Sequence, residues 1–135
     1  MPSDGTEPRR VSYDDLELDD ELALLDGTPF TGIVYSERPD GSLESESRYV
    51  DGLPDGLELE WFPGGQLAKR AVAVRGNGVS AVETWYPSGA RRSIKRYSDR
   101  RLVEATAWDE DGRSIDPELL PSDHAFGAAT AGAPV

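Results

Sequence analysis

A chain of 135 residues with 26 acidic and 14 basic side chains, net charge −12 and no cysteine has room for one small domain. It excludes a disulfide framework, a thiolate zinc site and a cysteine nucleophile. The acidic balance also argues against coating nucleic acid or an anionic membrane with the whole surface, because phosphate binding needs a basic footprint.

In chain order, residues 1–10 are Pro, Ser, Gly and charge, which reads as a disordered terminus. Arg9-Arg10 is followed by Val11-Ser12-Tyr13-Asp14-Asp15 where a secretory leader needs an apolar run, so the expectation is an uncleaved, cytoplasmic chain. No stretch of 18 apolar residues is present to cross a membrane as a helix. Residues 11–26 form an acidic lead-in of two readings. Leu18, Leu22 and Leu25 fall at i, i+4 and i+7 as on a helix, while Leu22-Ala23-Leu24-Leu25 before Gly27 also suits a strand. An irregular or briefly helical segment covering the first hairpin is expected.

Residues 27–116 carry an internal repeat, which decides the fold class before any local propensity. Gly41, Gly65, Gly89 and Gly112 are spaced by 24, 24 and 23 residues, and each closes a similar phrase, such as Phe62-Pro63-Gly64-Gly65 and Tyr86-Pro87-Ser88-Gly89. A second series, Gly27, Gly52 and Gly76 with Asp99 in the fourth place, falls between them, and Gly32 and Gly56 follow the first two of these. Two turns per period mean two strands per period. Leu57-Glu58-Leu59-Glu60-Trp61 alternates apolar and acidic residues, the period of a half-buried strand. Trp61, Trp85 and Trp108 each stand four residues before their turn glycine, Phe62 falls on Tyr86, and Tyr49 falls on Tyr97. Stacked hairpins should align these rings in ladders, with the glycines supplying positive φ in the turns. The expected fold is therefore all-β, a meander of antiparallel hairpins with a period of about 24 residues. Residues 117–135, mostly Ala, Gly and Pro towards the end, read as a disordered tail.

The phrases Gly27-Thr28-Pro29-Phe30-Thr31-Gly32, Tyr49-Val50-Asp51-Gly52-Leu53-Pro54-Asp55-Gly56, Trp61-Phe62-Pro63-Gly64-Gly65-Gln66-Leu67 and Trp85-Tyr86-Pro87-Ser88-Gly89 resemble the bacterial MORN-repeat variant. Its unit runs Tyr-x-x-Gly-x-x-x-Gly, then a pair of aromatics, then a turn closed by Gly. Proteins of this form are grouped as YwqK-like antitoxins, so the resemblance implies a protein that binds and neutralises a toxin of the same cell. It carries no catalytic residue to transfer. Ser80, Asp99 and Val103 depart from the pattern in the last two hairpins.

Charge is segregated. Residues 1–67 hold 17 acids and 4 bases, residues 68–101 hold 2 acids and 9 bases, and residues 102–135 hold 7 acids and 1 base. The basic block includes Arg91, Arg92, Lys95, Arg96, Arg100 and Arg101 on and just after one strand, either neutralising acidic neighbours or forming a partner patch. Asp109-Glu110-Asp111-Gly112 has its Gly too early for a calcium loop, and Gly76-Asn77-Gly78 lacks the Lys-Ser/Thr of a phosphate loop. Asp14-Asp15 and Asp19-Asp20-Glu21 do not face across a cleft as glycosidase acids must, and the single histidine, His124, lies in the tail with no rigid shell. The expectation is a non-enzymatic protein without metal or cofactor whose sheet engages a protein partner, a toxin on the family's pattern, through Trp61, Phe62, Trp85, Tyr86 and Trp108 with Arg91, Arg92, Lys95 and Arg96. Acids around Asp14 to Glu21 and Glu58 to Glu60 are placed to meet a basic cleft on that partner. A scaffold or anionic-lipid-binding repeat module is the alternative from another class.

Overall fold

The computed structural model describes residues 9–120. Twelve strands follow in order: β1 (Arg10–Ser12), β2 (Glu17–Asp19), β3 (Leu22–Leu25), β4 (Thr28–Pro29), β5 (Gly32–Glu37), β6 (Leu43–Val50), β7 (Leu53–Trp61), β8 (Leu67–Ala73), β9 (Val79–Trp85), β10 (Arg91–Ser98), β11 (Arg101–Trp108) and β12 (Ser114–Ile115). From β5 to β12 every strand pairs antiparallel with the next, the hairpin meander that the glycine spacing dictates. β1 joins this sheet as a parallel edge beside β5, and β2, β3 and β4 form a separate three-stranded sheet.

The lead-in differs from the expectation. It is mostly strand, with one 3-10 turn at Tyr13–Asp15 capped by Ser12, whose hydroxyl accepts the Asp14 N–H at 3.2 Å. The helical spacing of Leu18, Leu22 and Leu25 is overridden because Asp20, at φ +57°, reverses the chain and lets Leu18 pair with Ala23. Arg10 already belongs to β1 and Pro117–Leu119 form a second 3-10 turn under Asp116, so regular structure reaches one residue before 11 and three past 116. The disorder expected at the extreme ends, and His124, lie outside the described residues.

Two kinds of turn alternate. At the outer end, Arg38, Phe62, Tyr86 and Asp109 each donate their N–H to the carbonyl four residues on, at 2.7–2.8 Å, and the glycines at 41, 65, 89 and 112 donate back at 2.8–3.0 Å. At the inner end, Asp51-Gly52 and Asp99-Arg100, and in the three-stranded sheet Asp26-Gly27, hold positive φ at both central residues, the condition for a two-residue turn that matches the twist of the strands. Gly76 departs from this series. Its turn is longer, closed by Val74 N–H on the Gly78 carbonyl at 2.7 Å. Gly32 and Gly56 are not turn residues; they lie within β5 and β7. At Gly32 a Cβ would stand 2.5 Å from the Arg9 carbonyl oxygen and 2.7 Å from the Phe30 ring, so the glycine is needed for close approach of β1.

The return strands share one irregularity. Glu44, Ala68 and Arg92, spaced by 24 residues, are the extra residues where pairing steps from Ser36–Ser45 to Glu37–Leu43, from Glu60–Lys69 to Trp61–Leu67 and from Thr84–Ser93 to Trp85–Arg91. These are β-bulges, which bend a sheet and turn a side chain off its alternating face. The core is small: Val34, Ala71, Val82 and Ala107 are buried along one face, with Thr84 and Ser93 among them, and Ala23 and Phe30 are buried at the three-stranded sheet.

Candidate functional site

Alternation along each strand sorts the side chains into two faces. The pairs Glu58–Ala71, Ala71–Val82 and Val82–Lys95, and likewise Lys69–Thr84, Thr84–Ser93 and Ser93–Ala107, place the buried residues together on one face. Trp61, Trp85 and Trp108 each come one residue after a member of that set, Glu60, Thr84 and Ala107, and so share the opposite face. Each ends its strand, on β7, β9 and β11. All three are half-buried. The row runs across the sheet with one ring every second strand, about 10 Å apart. Leu67 and Arg91, on the strands between, are the direct cross-strand partners of Trp61 and Trp85. The rings are therefore aligned but do not stack on one another. Tyr49 and Tyr97 stand four strands apart, with Ala73 holding the equivalent place on β8, so they make no ladder either.

Two of the residues that open the outer turns, Arg38 and Tyr86, tie one module to the next. Arg38 donates to the Trp61 carbonyl, and also to the Leu43 carbonyl at 3.0 Å; Tyr86 Oη donates to the Trp108 carbonyl at 2.8 Å. Tyr86 is thus a strut between hairpins and not a free docking ring. Beside Trp61 a cleft of about 500 Å³ opens between two outer turns, lined by Arg38, Leu43, Trp61, Phe62 and Pro63. The inner turns are tied in the same way, Arg75 Nη1 to Asp51 Oδ2 at 3.3 Å and Arg100 Nη2 to the Gly76 carbonyl at 3.0 Å.

The basic block is not one patch. Arg92 is buried, because it is the bulged residue of β10, and its Nη1 donates to Thr84 Oγ1 at 3.3 Å. Thr84 Oγ1 is in turn 2.6 Å from Ser93 Oγ, one hydroxyl donating to the other. Arg91 pairs with Glu83 at 3.8 Å, a carboxylate it shares with Arg70 at 3.1 Å, and Arg96 pairs with Glu104 at 3.2 Å. Lys95 faces the opposite side from Arg91 and Arg96, in the row of Val82. Sequence reasoning missed this split because the bulge is invisible to a strict count of two, and Glu44, Ala68 and Arg92 share a place in the repeat but no residue type.

The acids also separate into two groups. Asp14, Asp15, Glu17, Asp19, Asp20 and Glu21 are exposed on the three-stranded sheet and the turn before it. Glu58 and Glu60 are part-buried on the inner face, where burial, only partly opposed by Lys69, raises both carboxyl groups above their ordinary range. Lys69 Nζ lies 3.6 Å from Glu60 Oε2. Burial also raises the Tyr49 phenol, with the Glu58 charge adding to the effect.

Among the described residues no group of three or more His, Cys, Asp or Glu is placed to hold a metal ion, and no helix is long and apolar enough to cross a membrane. No family model matches the chain, and neither a curated protein nor a solved structure matches it.

Proposed function

We propose that this chain is a non-enzymatic binding module of antitoxin or immunity type, built of MORN-like hairpins, that holds a toxic protein partner against its tryptophan face. The observation that carries the reading is the common register of Trp61, Trp85 and Trp108 on one side of the sheet. Tryptophan and arginine dominate the energetics of protein interfaces, and a row of three rings about 20 Å long matches the width of a patch of about 800 Å² per partner. The cleft beside Trp61 gives a partner side chain somewhere to insert. Steering falls to the exposed acids from Asp14 to Glu21; Glu58 and Glu60 are too enclosed to contribute at long range.

Growth rescue tests the proposal. Co-expression with the product of an adjacent toxin-like reading frame should restore growth, and replacing all three tryptophans by Ala in a chain that keeps its strand circular dichroism should abolish rescue. Absence of rescue by the unaltered chain, or full rescue by the triple variant, refutes it. For the lipid alternative, Arg91, Arg96 and Arg101 are exposed, but Arg92 is turned inward and Arg100 is tied to a turn. Salt-sensitive flotation on anionic vesicles would favour that alternative.

A further inference from the structure

A second cleft, of about 250 Å³, opens at the other end of the strands and on the other side of the sheet from the tryptophans. The pairs Gly56–Ala73 and Ala73–Val79 place it on the inner face, where the longer turn around Gly76 leaves a gap beside β7. Its walls are apolar, from Leu53, Pro54, Ala73 and Val79. Its charged groups are Glu58, Glu21 and Arg100. Arg100 is tied down by its bond to the Gly76 carbonyl, whereas no hydrogen bond or ion pair to the Glu58 carboxylate is made among the described residues.

Size and charge narrow the ligand. Pockets for metabolites commonly run to about 300–1,000 Å³, so this cleft is small for a nucleotide or cofactor and suits one long side chain. A carboxylate lining an apolar-walled cleft calls for a cation on a hydrocarbon stem, which describes arginine and lysine. The sheet that supplies Glu21 adds a field of the same sign. Between residues 14 and 26 the chain carries Asp14, Asp15, Glu17, Asp19, Asp20, Glu21 and Asp26 and no base. That sheet is fastened next to the cleft by Ala23 N–H on the Gly52 carbonyl at 2.9 Å.

We propose that this cleft receives one arginine or lysine side chain of a partner protein, its stem against Leu53, Pro54 and Val79 and its cation at Glu58, with Glu21 at the mouth. The site goes beyond the tryptophan face and rests on the binding-module reading only for the owner of the side chain. Burial, only partly opposed by Lys69, raises the Glu58 carboxyl, so a further cation beside it would favour its ionised form.

The test uses the whole chain and a small probe, N-acetyl-arginine methylamide, followed by ¹⁵N–¹H chemical shifts. The neutral norleucine analogue serves as control. Saturable shifts at the amides of Leu53, Gly78 and Val79, with affinity in the millimolar range, are expected for the arginine probe and not for norleucine. Glu58→Gln should weaken binding about tenfold, and Glu21→Gln, at an exposed rim position, by a smaller factor while leaving the spectrum otherwise unchanged. No saturable shift at those amides by about 50 mM probe, equal binding of norleucine, or unchanged affinity in both variants overturns the proposal. Failure here leaves the tryptophan face to the growth assay, which does not involve this cleft.

Discussion

Replacing Gly41 and Gly52 separately by Ala separates backbone strain from close approach. Both glycines hold nearly the same φ, +89° and +87°. At Gly41 an added Cβ meets nothing within 4 Å. Its cost is then the left-handed strain of about 1–2 kcal/mol, offset in part by the reduced freedom of the unfolded chain, about 0.4–1 kcal/mol. At Gly52 the Cβ stands 3.1 Å from Leu22 Cδ2, 3.2 Å from the Ala23 carbonyl oxygen and 3.3 Å from Pro29 Cβ. The leucine tip can rotate, but the carbonyl and the proline move only if β3 and β4 move with them. Displacing them weakens two hydrogen bonds, Ala23 N–H to the Gly52 carbonyl at 2.9 Å and Gly52 N–H to the Phe30 carbonyl at 2.8 Å. At about 1 kcal/mol each, they bring the Gly52→Ala cost to about 2 kcal/mol more than that of Gly41→Ala. Urea unfolding of the whole chain reads the difference as a shift of about 1 M in midpoint, taking a slope near 2 kcal/mol/M. Equal costs within about 0.5 kcal/mol would refute the idea that the Asp51-Gly52 turn clamps the three-stranded sheet.

Three further outcomes are expected. Thr84→Val strands the Ser93 hydroxyl and removes an Arg92 acceptor in a buried site, for a loss of about 1–3 kcal/mol, while Thr84→Val with Ser93→Ala should cost less than the sum of the single changes in a double-mutant cycle; additive costs would contradict the shared bond. Glu58, raised by burial above its ordinary 4.5, binds a proton more readily folded than unfolded, so its ionised form subtracts from stability above the raised range and the penalty fades as pH falls through that range to about 4.5. Glu58→Gln should therefore stabilise at pH 7, with the gain shrinking in urea titrations towards pH 4; a gain that grows in acid contradicts the assignment. Tyr86→Phe removes the strut to the Trp108 carbonyl, costs about 0.5–1.5 kcal/mol, and should speed amide exchange in β11 ahead of β7; uniform exchange would show that the strut does not hold the last hairpin.

Much of the scaffold was legible because a repeat enforces its own register. The spacing of Gly41, Gly65, Gly89 and Gly112 located the outer turns, and the strand-and-turn logic gave the order from β5 to β12 without any pairing information, though not the parallel edge β1 or the separate three-stranded sheet. The common placement of Trp61, Trp85 and Trp108 follows from the same arithmetic. The lead-in was not legible from periodicity, since Leu18, Leu22 and Leu25 satisfy a helical count while the turn at Asp20 and the clasp on Gly52 select strands. Such tertiary choices are absent from local pattern. The division of the basic block was hidden for a related reason: one inserted residue per return strand rotates Arg92 inward, and a period-two reading cannot register it. The inner cleft depended on the odd length of the Gly76 turn, a departure from the repeat rather than a feature of it.

The most direct measurement of the docking proposal is calorimetric titration of the proposed toxin partner against the unaltered chain and its Trp61→Ala, Trp85→Ala and Trp108→Ala variants. A shared face predicts that at least two of the three weaken binding by about tenfold or more, while Leu119→Ser, exposed and off that row, leaves it unchanged. Affinities of all three tryptophan variants within about twofold of that of the unaltered chain would contradict the account.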